Sequence, residues 1–250
     1  MKAFISKNRI ILFLSLLFIV LVWHLLSVCM QSDIILPSPY NTLKELIATL
    51  AQKETYNSLL ITILRGMIGF SLAFALVIII GVVSGLNEGF HTFIKPIILS
   101  IRSIPVISFI LILLIWFKPG NVPIIIGFLT MFPILCINFI DGMKNVEKEY
   151  IQMCNVFRIP KNRRIRDVYI PSMLPFVFNG ISNAMGFGWR AIIIGEVLSQ
   201  PEFGIGSSMQ TAQLYLQISK LIVWTILAIF ISILFEKGIR IIEKRVIFWR

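Results

Sequence analysis

Composition, run length and charge placement predict an all-α membrane protein with six transmembrane helices. Hydrophobic residues fill 57% of the 250 positions and charged residues only 14%, whereas a water-soluble domain carries about a quarter charged. Six apolar runs can cross about 30 Å of hydrocarbon, which takes about 20 helical residues, or fewer where flanking Lys and Arg snorkel. No ten-residue alternation of polar and apolar positions occurs, so helices rather than a barrel must satisfy the backbone. With the amino terminus inside, Lys2, Lys7 and Arg9, the seven basic residues from Lys144 to Arg166 and the five from Lys237 to Arg250 all fall in the cytoplasm. The opposite loops hold chiefly Lys44, Lys53 and Lys118. By the positive-inside bias both termini are cytoplasmic, and this placement accounts for the net charge of +11 without invoking nucleic acid.

The first crossing, Ile10 to Met30, reads as a retained anchor, because no small-x-small cleavage site follows it. Leu26-Ser27-Val28-Cys29 has the outline of a lipoprotein signal, but Val28 is bulky and the run is long. His24, alone on that helix, reads as a packed residue. Leu36-Pro37-Ser38-Pro39 then breaks the pattern. Thr42 to Lys53 follows with Leu43, Leu46, Ile47 and Leu50 on one helical face, suited to the outer membrane surface; a surface helix indifferent to lipid is the alternative.

In the second crossing, Gly66 to Leu86, the glycines at 66, 69, 81 and 85 permit close helix approach. A short turn near Asn87 to Phe90 leads to the third crossing, Leu99 to Phe117. Pro105 within it, and Pro133 within the fourth, Val122 to Ile140, each remove a backbone donor and are expected to kink their helices. Phe176 to Leu198 and Ile218 to Phe235 are the fifth and sixth. No internal repeat of the kind found in many secondary transporters is visible.

Charges inside such runs must face the bundle, a partner or water. Arg65 and Arg102 lie near helix ends, where snorkelling suffices. Arg190 is deeper, beside Trp189, and Glu196 lies six residues on, a poor spacing for a pair on one helix face. Arg102, Pro105, Trp189, Arg190 and Glu196 are therefore the candidates for a pathway or for interhelix contacts. Cys29, Cys136 and Cys154 have no paired spacing, so neither disulfides nor a metal site is expected.

Between the fourth and fifth crossings, Tyr150 to Phe157 is loosely amphipathic and ends at Ile159-Pro160. Lys161 to Tyr169 carries Arg163, Arg164 and Arg166 and is expected to stop at Pro171. A basic retention loop explains the arginines. It leaves Met153, Val156 and Phe157 exposed unless a partner covers them.

This loop resembles that of the membrane permeases of binding-protein-dependent ABC importers, in the nitrate, sulfonate and taurine branch. The family's loop reads Glu-Ala-Ala, three residues, Gly, nine residues, Ile-x-Leu-Pro. Aligned on Val168-Tyr169-Ile170-Pro171, the chain has Gln152-Met153-Cys154 for the triplet and Arg158 for the glycine: the spacing is kept and the signature residues differ. Leu36-Pro37-Ser38-Pro39, Ile101-Arg102-Ser103-Ile104-Pro105 and the Trp-Arg within Ala184 to Glu196 are similar to the same branch. The resemblance implies a type I permease bundle forming one domain over 1–250, with the amino-terminal helix and start of the outer loop in 1–35, a core bundle in 58–240 and a coupling loop in 144–175. Gln152 to Arg158, including Val156 and Phe157, would dock on a cytoplasmic ATPase, with Val168 to Pro171 as a supporting turn.

No Gly-x4-Gly-Lys-Ser/Thr loop occurs, so the chain is not expected to bind ATP. The resemblance implies no cofactor in this chain, ATP and magnesium on a partner ATPase dimer, an external solute-binding protein, and a second permease copy, as a homodimer or heterodimer. It places the chain in the bacterial plasma (inner) membrane, importing a small organic or anionic nutrient. An ion-coupled secondary transporter or channel would need mid-membrane carboxylates, and Glu196 is the one such residue in the proposed crossings. A membrane-embedded enzyme would need clustered His, Asp or Glu, which are scattered here. An assembly protein without transport is a further alternative, separable by co-purification of an ATPase.

Overall fold

The computed structural model describes residues 2–247, with the side chains of 2–9 and 12 left out. The basic side chains of Lys2, Lys7 and Arg9, and Arg250, lie outside the described residues. Every regular element among the described residues is helical. Among the described residues, four helices are long and apolar enough to cross a membrane: α1 (Lys2–Met30), α3 (Lys53–Leu86), α6 (Val122–Lys144) and α11 (Ile218–Val246).

The third run is not the single kinked helix that the sequence suggests. α4 (Glu88–Ser103) and α5 (Val106–Trp116) meet at 91°. Pro105 forces this break: Ile104 before it is extended, as steric contact with a proline ring requires, and the ring nitrogen cannot donate to the turn behind it. At about 1.5 Å per residue the two pieces span only about 24 and 16 Å. Pro133, by contrast, sits inside α6 without ending it.

α6 is the axis of the bundle, packed between α3 and α9 (Ile170–Ser199). Its side chains Met131, Phe132, Leu135, Cys136, Phe139 and Ile140 build the main core with Ala73 and Val77 of α3 and Ala184, Met185 and Ile192 of α9. The small-residue face of α3 lies against α6, as its spacing suggests. A Cβ at Gly69 would sit 2.9 Å from the Ile124 carbonyl oxygen, so glycine there permits backbone-to-backbone approach.

α1 stands apart, its apolar side chains almost all uncovered. Its link to the rest is the Leu36-Pro37-Ser38-Pro39 turn: the Trp23 indole donates to the Pro37 carbonyl at 3.1 Å and the Ser27 hydroxyl to Leu36 at 3.0 Å. Ser38 then caps α2 (Pro39–Leu50) by accepting from the Asn41 amide, with Pro39 in the first turn, a favourable pairing at a helix start. The helix ends before Lys53, which opens α3. Its apolar face is divided, with Leu46 and Leu50 packed on the core and Leu43 and Ile47 facing outward.

The loop after α6 forms α7 (Lys148–Val156) and α8 (Lys161–Arg164), separated by the expected proline break. The expected stop at Pro171 does not occur. A π-helical turn (Ile165–Tyr169), closed by the Ile170 amide on Ile165, runs directly into α9, and Pro171 with its missing donor sits just past this wider turn, inside a continuous helical run. Val168 to Pro171 is thus helix, and the fifth run starts at Ile170 rather than Phe176.

Candidate functional site

Arg65 does not snorkel. It is 8% exposed and Glu196 is wholly buried; the guanidinium Nη1 donates to Glu196 Oε1 at 2.6 Å and to the Phe203 carbonyl at 2.7 Å. Thr62, one turn before Arg65 on α3, donates its hydroxyl to Glu196 Oε1 at 2.9 Å and accepts from the Ile205 amide at 2.9 Å. The Gly206 amide donates to Glu196 Oε2 at 2.9 Å. A Cβ at Gly204 would lie 2.7 Å from the Glu196 carboxyl carbon, so the turn passes over the carboxylate only because that position has no side chain. The ion pair ties α3, α9 and the start of α10 (Ile205–Leu214) together. Both Glu196 oxygens and the Arg65 Nη1 are met, as a buried pair requires.

Arg102 and Arg190 are arranged oppositely. Both are exposed on this chain and neither forms an ion pair among the described residues. Arg102 lines a cavity of about 420 Å³ between the α4–α5 elbow, α6 and α9, together with Thr130, Asn138, Asn183 and Phe187. Arg190 lines a neighbouring cavity of about 240 Å³ with Ser182, Ser232 and Glu236, and Asn183 and Phe187 also line this one. Two wall amides, Asn138 and Asn183, are linked through Asn179: Asn183 donates to Asn179 at 3.4 Å, Asn179 to Asn138 at 3.3 Å, and Asn138 to the Ile134 carbonyl at 2.8 Å. Pro133 reaches the larger cavity and Pro105 shapes its rim by breaking the helix. Trp189 is buried, its indole donating to Ala228 at 3.2 Å and its ring tilted on Phe235.

At the loop, Gln152, Met153, Val156, Phe157 and Arg158 are exposed and Cys154 is buried. Val168 and Pro171 are half-buried and Ile170 exposed. α7 closes with the Ile159 amide on Cys154 at 2.9 Å and the Arg158 amide on Asn155 at 3.2 Å. This is a Schellman stop, with Arg158 in the left-handed conformation at φ 51°.

The structure therefore joins Glu196 to Arg65 rather than to Arg190, and gathers Arg102 and Arg190 on adjoining cavities. Sequence reasoning missed Thr62, Gly204, Gly206 and the asparagines. The amides had a legible signal, since Asn179 and Asn183 are one turn apart in a run otherwise poor in polar groups.

A helical membrane protein with cavities lined by unpaired arginines, amides and a solvent-facing helical loop has the parts of a permease. The chain belongs to the family described as the binding-protein-dependent transport system inner membrane component, whose model matches residues 77–248. Among similar proteins, one from Bacillus subtilis (strain 168), provisionally named an aliphatic sulfonates transport permease, is 24% identical over 238 residues, covering 93% of this chain and 84% of the relative. The taurine transport system permease of Escherichia coli (strain K12) is 23% identical over 91% and 84%. The nitrate import permease of Synechococcus elongatus is 27% identical over 74% and 70%. The chain is thus the inner-membrane permease subunit of an ABC importer, with ATP hydrolysis in a separate subunit and a binding protein among its partners.

Proposed function

We propose that the chain passes a small oxyanion-bearing solute along the adjoining cavities of α4, α5, α6 and α9. The observation that carries this reading is the pair of unpaired arginines, Arg102 and Arg190, facing cavities that share Asn183 and Phe187. Arginine is the side chain best suited to sulfonate, nitrate or carboxylate oxygens, through paired N–H donors, and relatives are named for sulfonates, taurine and nitrate. Glu196 is already committed to Arg65, which disfavours its use as an ion-coupling carboxylate.

The same reading takes residues 1–250 as one permease domain crossing six times, through α1, α3, the α4–α5 elbow, α6, α9 and α11, with both termini cytoplasmic. α9 has 30 residues, about 45 Å of helix; Asn179, Asn183, Arg190 and Glu196 interrupt the kind of long apolar window that α1, α3, α6 and α11 have. A second copy completes the pathway as a homodimer, and ATP and magnesium are held on the partner ATPases. Gln152 to Arg158 dock there, and Ile170 and Pro171 carry the motion into α9, because the helix is continuous from the loop. Closure of the ATPases then rocks the bundle between inward-open and outward-open states.

Uptake of labelled taurine, alkanesulfonate, nitrate and bicarbonate by proteoliposomes holding permease, ATPase and binding protein tests the substrate class. Saturable, ATP-dependent uptake of at least one is expected. The double variant Met153→Asp/Phe157→Asp should insert normally and leave hydrolysis by the unheld ATPase uncoupled from transport. Unchanged uptake would remove the coupling role of this loop.

A further inference from the structure

The tip of the coupling loop carries an exposed apolar knob followed by a run of basic residues. Val156 and Phe157 are 77% and 73% exposed, so they form a knob that something must cover. From Arg158 to Arg166 the chain carries Arg158, Lys161, Arg163, Arg164 and Arg166 and no acid. Asp167, the next residue, reaches only Arg166, at 4.0 Å and in the open, where an ion pair contributes little. The Schellman stop sets Arg158 at the edge of the knob. Leu216 closes α10 in the same way, at φ 55° with Gln217 bonded to Ala212 at 2.8 Å. The left-handed turn is therefore a general device of this chain. What is particular at 158 is the charge, placed where glycine fits better.

We infer that the ATPase groove receiving Val156 and Phe157 has an acidic rim, and that Arg158, with Lys161 and Arg163, selects that partner electrostatically. The inference rests on the docking role proposed for the loop. An apolar centre ringed by charge is the usual division in a protein interface: the centre supplies affinity, the rim supplies on-rate and discrimination. An anionic lipid surface would take the same charges but needs no fixed turn to present them.

The test uses full-length permease in nanodiscs of phosphatidylcholine alone, titrated with its own ATPase at about 50 and 500 mM NaCl. Affinity should fall about tenfold or more at the higher salt, as rim charges are screened. Arg158→Glu should lower it by about the same factor at low salt and flatten the salt dependence. Arg158→Gly, which suits the left-handed turn and keeps the knob in place, should also weaken low-salt binding. Phe157→Asp should abolish binding at both salts. If Phe157→Asp abolishes binding while wild type ignores salt and Arg158→Glu binds normally, the acidic rim is wrong and docking stands. If none of the variants changes binding, the docking role itself falls. Salt dependence seen only in discs containing phosphatidylglycerol would assign the charges to lipid and overturn the inference.

Discussion

Arg65 and Arg190 lie on long neighbouring helices of the same bundle, yet their surroundings oppose each other. Arg65 is sealed: its guanidinium meets a carboxylate and a carbonyl, and the carboxylate is further met by Thr62 and Gly206. Arg190, like Arg102, forms no ion pair among the described residues and faces a cavity. In a low-dielectric setting an unpaired cation is expensive; on the proposed pathway, the two arginines left free are the ones that meet an arriving solute. On that proposal Arg65 is architecture and the other two are machinery.

Removing Glu196 should separate the two regions most sharply. Glu196→Ala leaves Arg65 buried and uncompensated, and a loss of about 3–5 kcal/mol is expected, read as a large fall in melting temperature in detergent. The double variant Arg65→Met/Glu196→Leu should recover most of that loss, because no charge is then stranded. A Glu196→Ala protein that melts like wild type would erase the distinction.

Arg102→Ala and Arg190→Ala should do the reverse. Stability should change by no more than about 0.5 kcal/mol, as for surface positions without partners. Uptake at low substrate should fall about 10- to 100-fold, the loss expected for a charge-assisted hydrogen bond worth about 1.5–3 kcal/mol. A variant that loses stability and transport together would move its arginine into the structural group.

The smallest effect concerns two buried indoles. Trp189 has a carbonyl partner, whereas the Trp224 indole N–H is buried without one. Trp189→Phe should cost about 1 kcal/mol more than Trp224→Phe, since removing an unsatisfied donor offsets part of the lost packing. Equal melting temperatures would place an acceptor at Trp224.

Much of this arrangement was legible in advance. The glycine positions of α3 foretold a close helix approach, which the structure makes with α6, and Pro160 foretold the break between α7 and α8; the sequence pattern places α2 at Thr42 to Lys53, whereas it runs from Pro39 to Leu50. The two proline misreadings share one origin. Pro105 reads as a kink and is a 91° elbow, while Pro171 reads as a stop and lies inside a helix; a proline's effect depends on whether the turn behind it needs its missing donor. Arg65 reads as a snorkelling residue because its partner is 131 positions away, beyond any local spacing rule.

By itself the sequence determined the solvent, the helical class and the exposed chemistry of the loop, because hydrophobicity, run length and charge act residue by residue. Only the tertiary structure decided which arginine is neutralised and which is free, because that depends on which helices pack side by side, and burial makes pairing a property of the neighbour rather than of the residue.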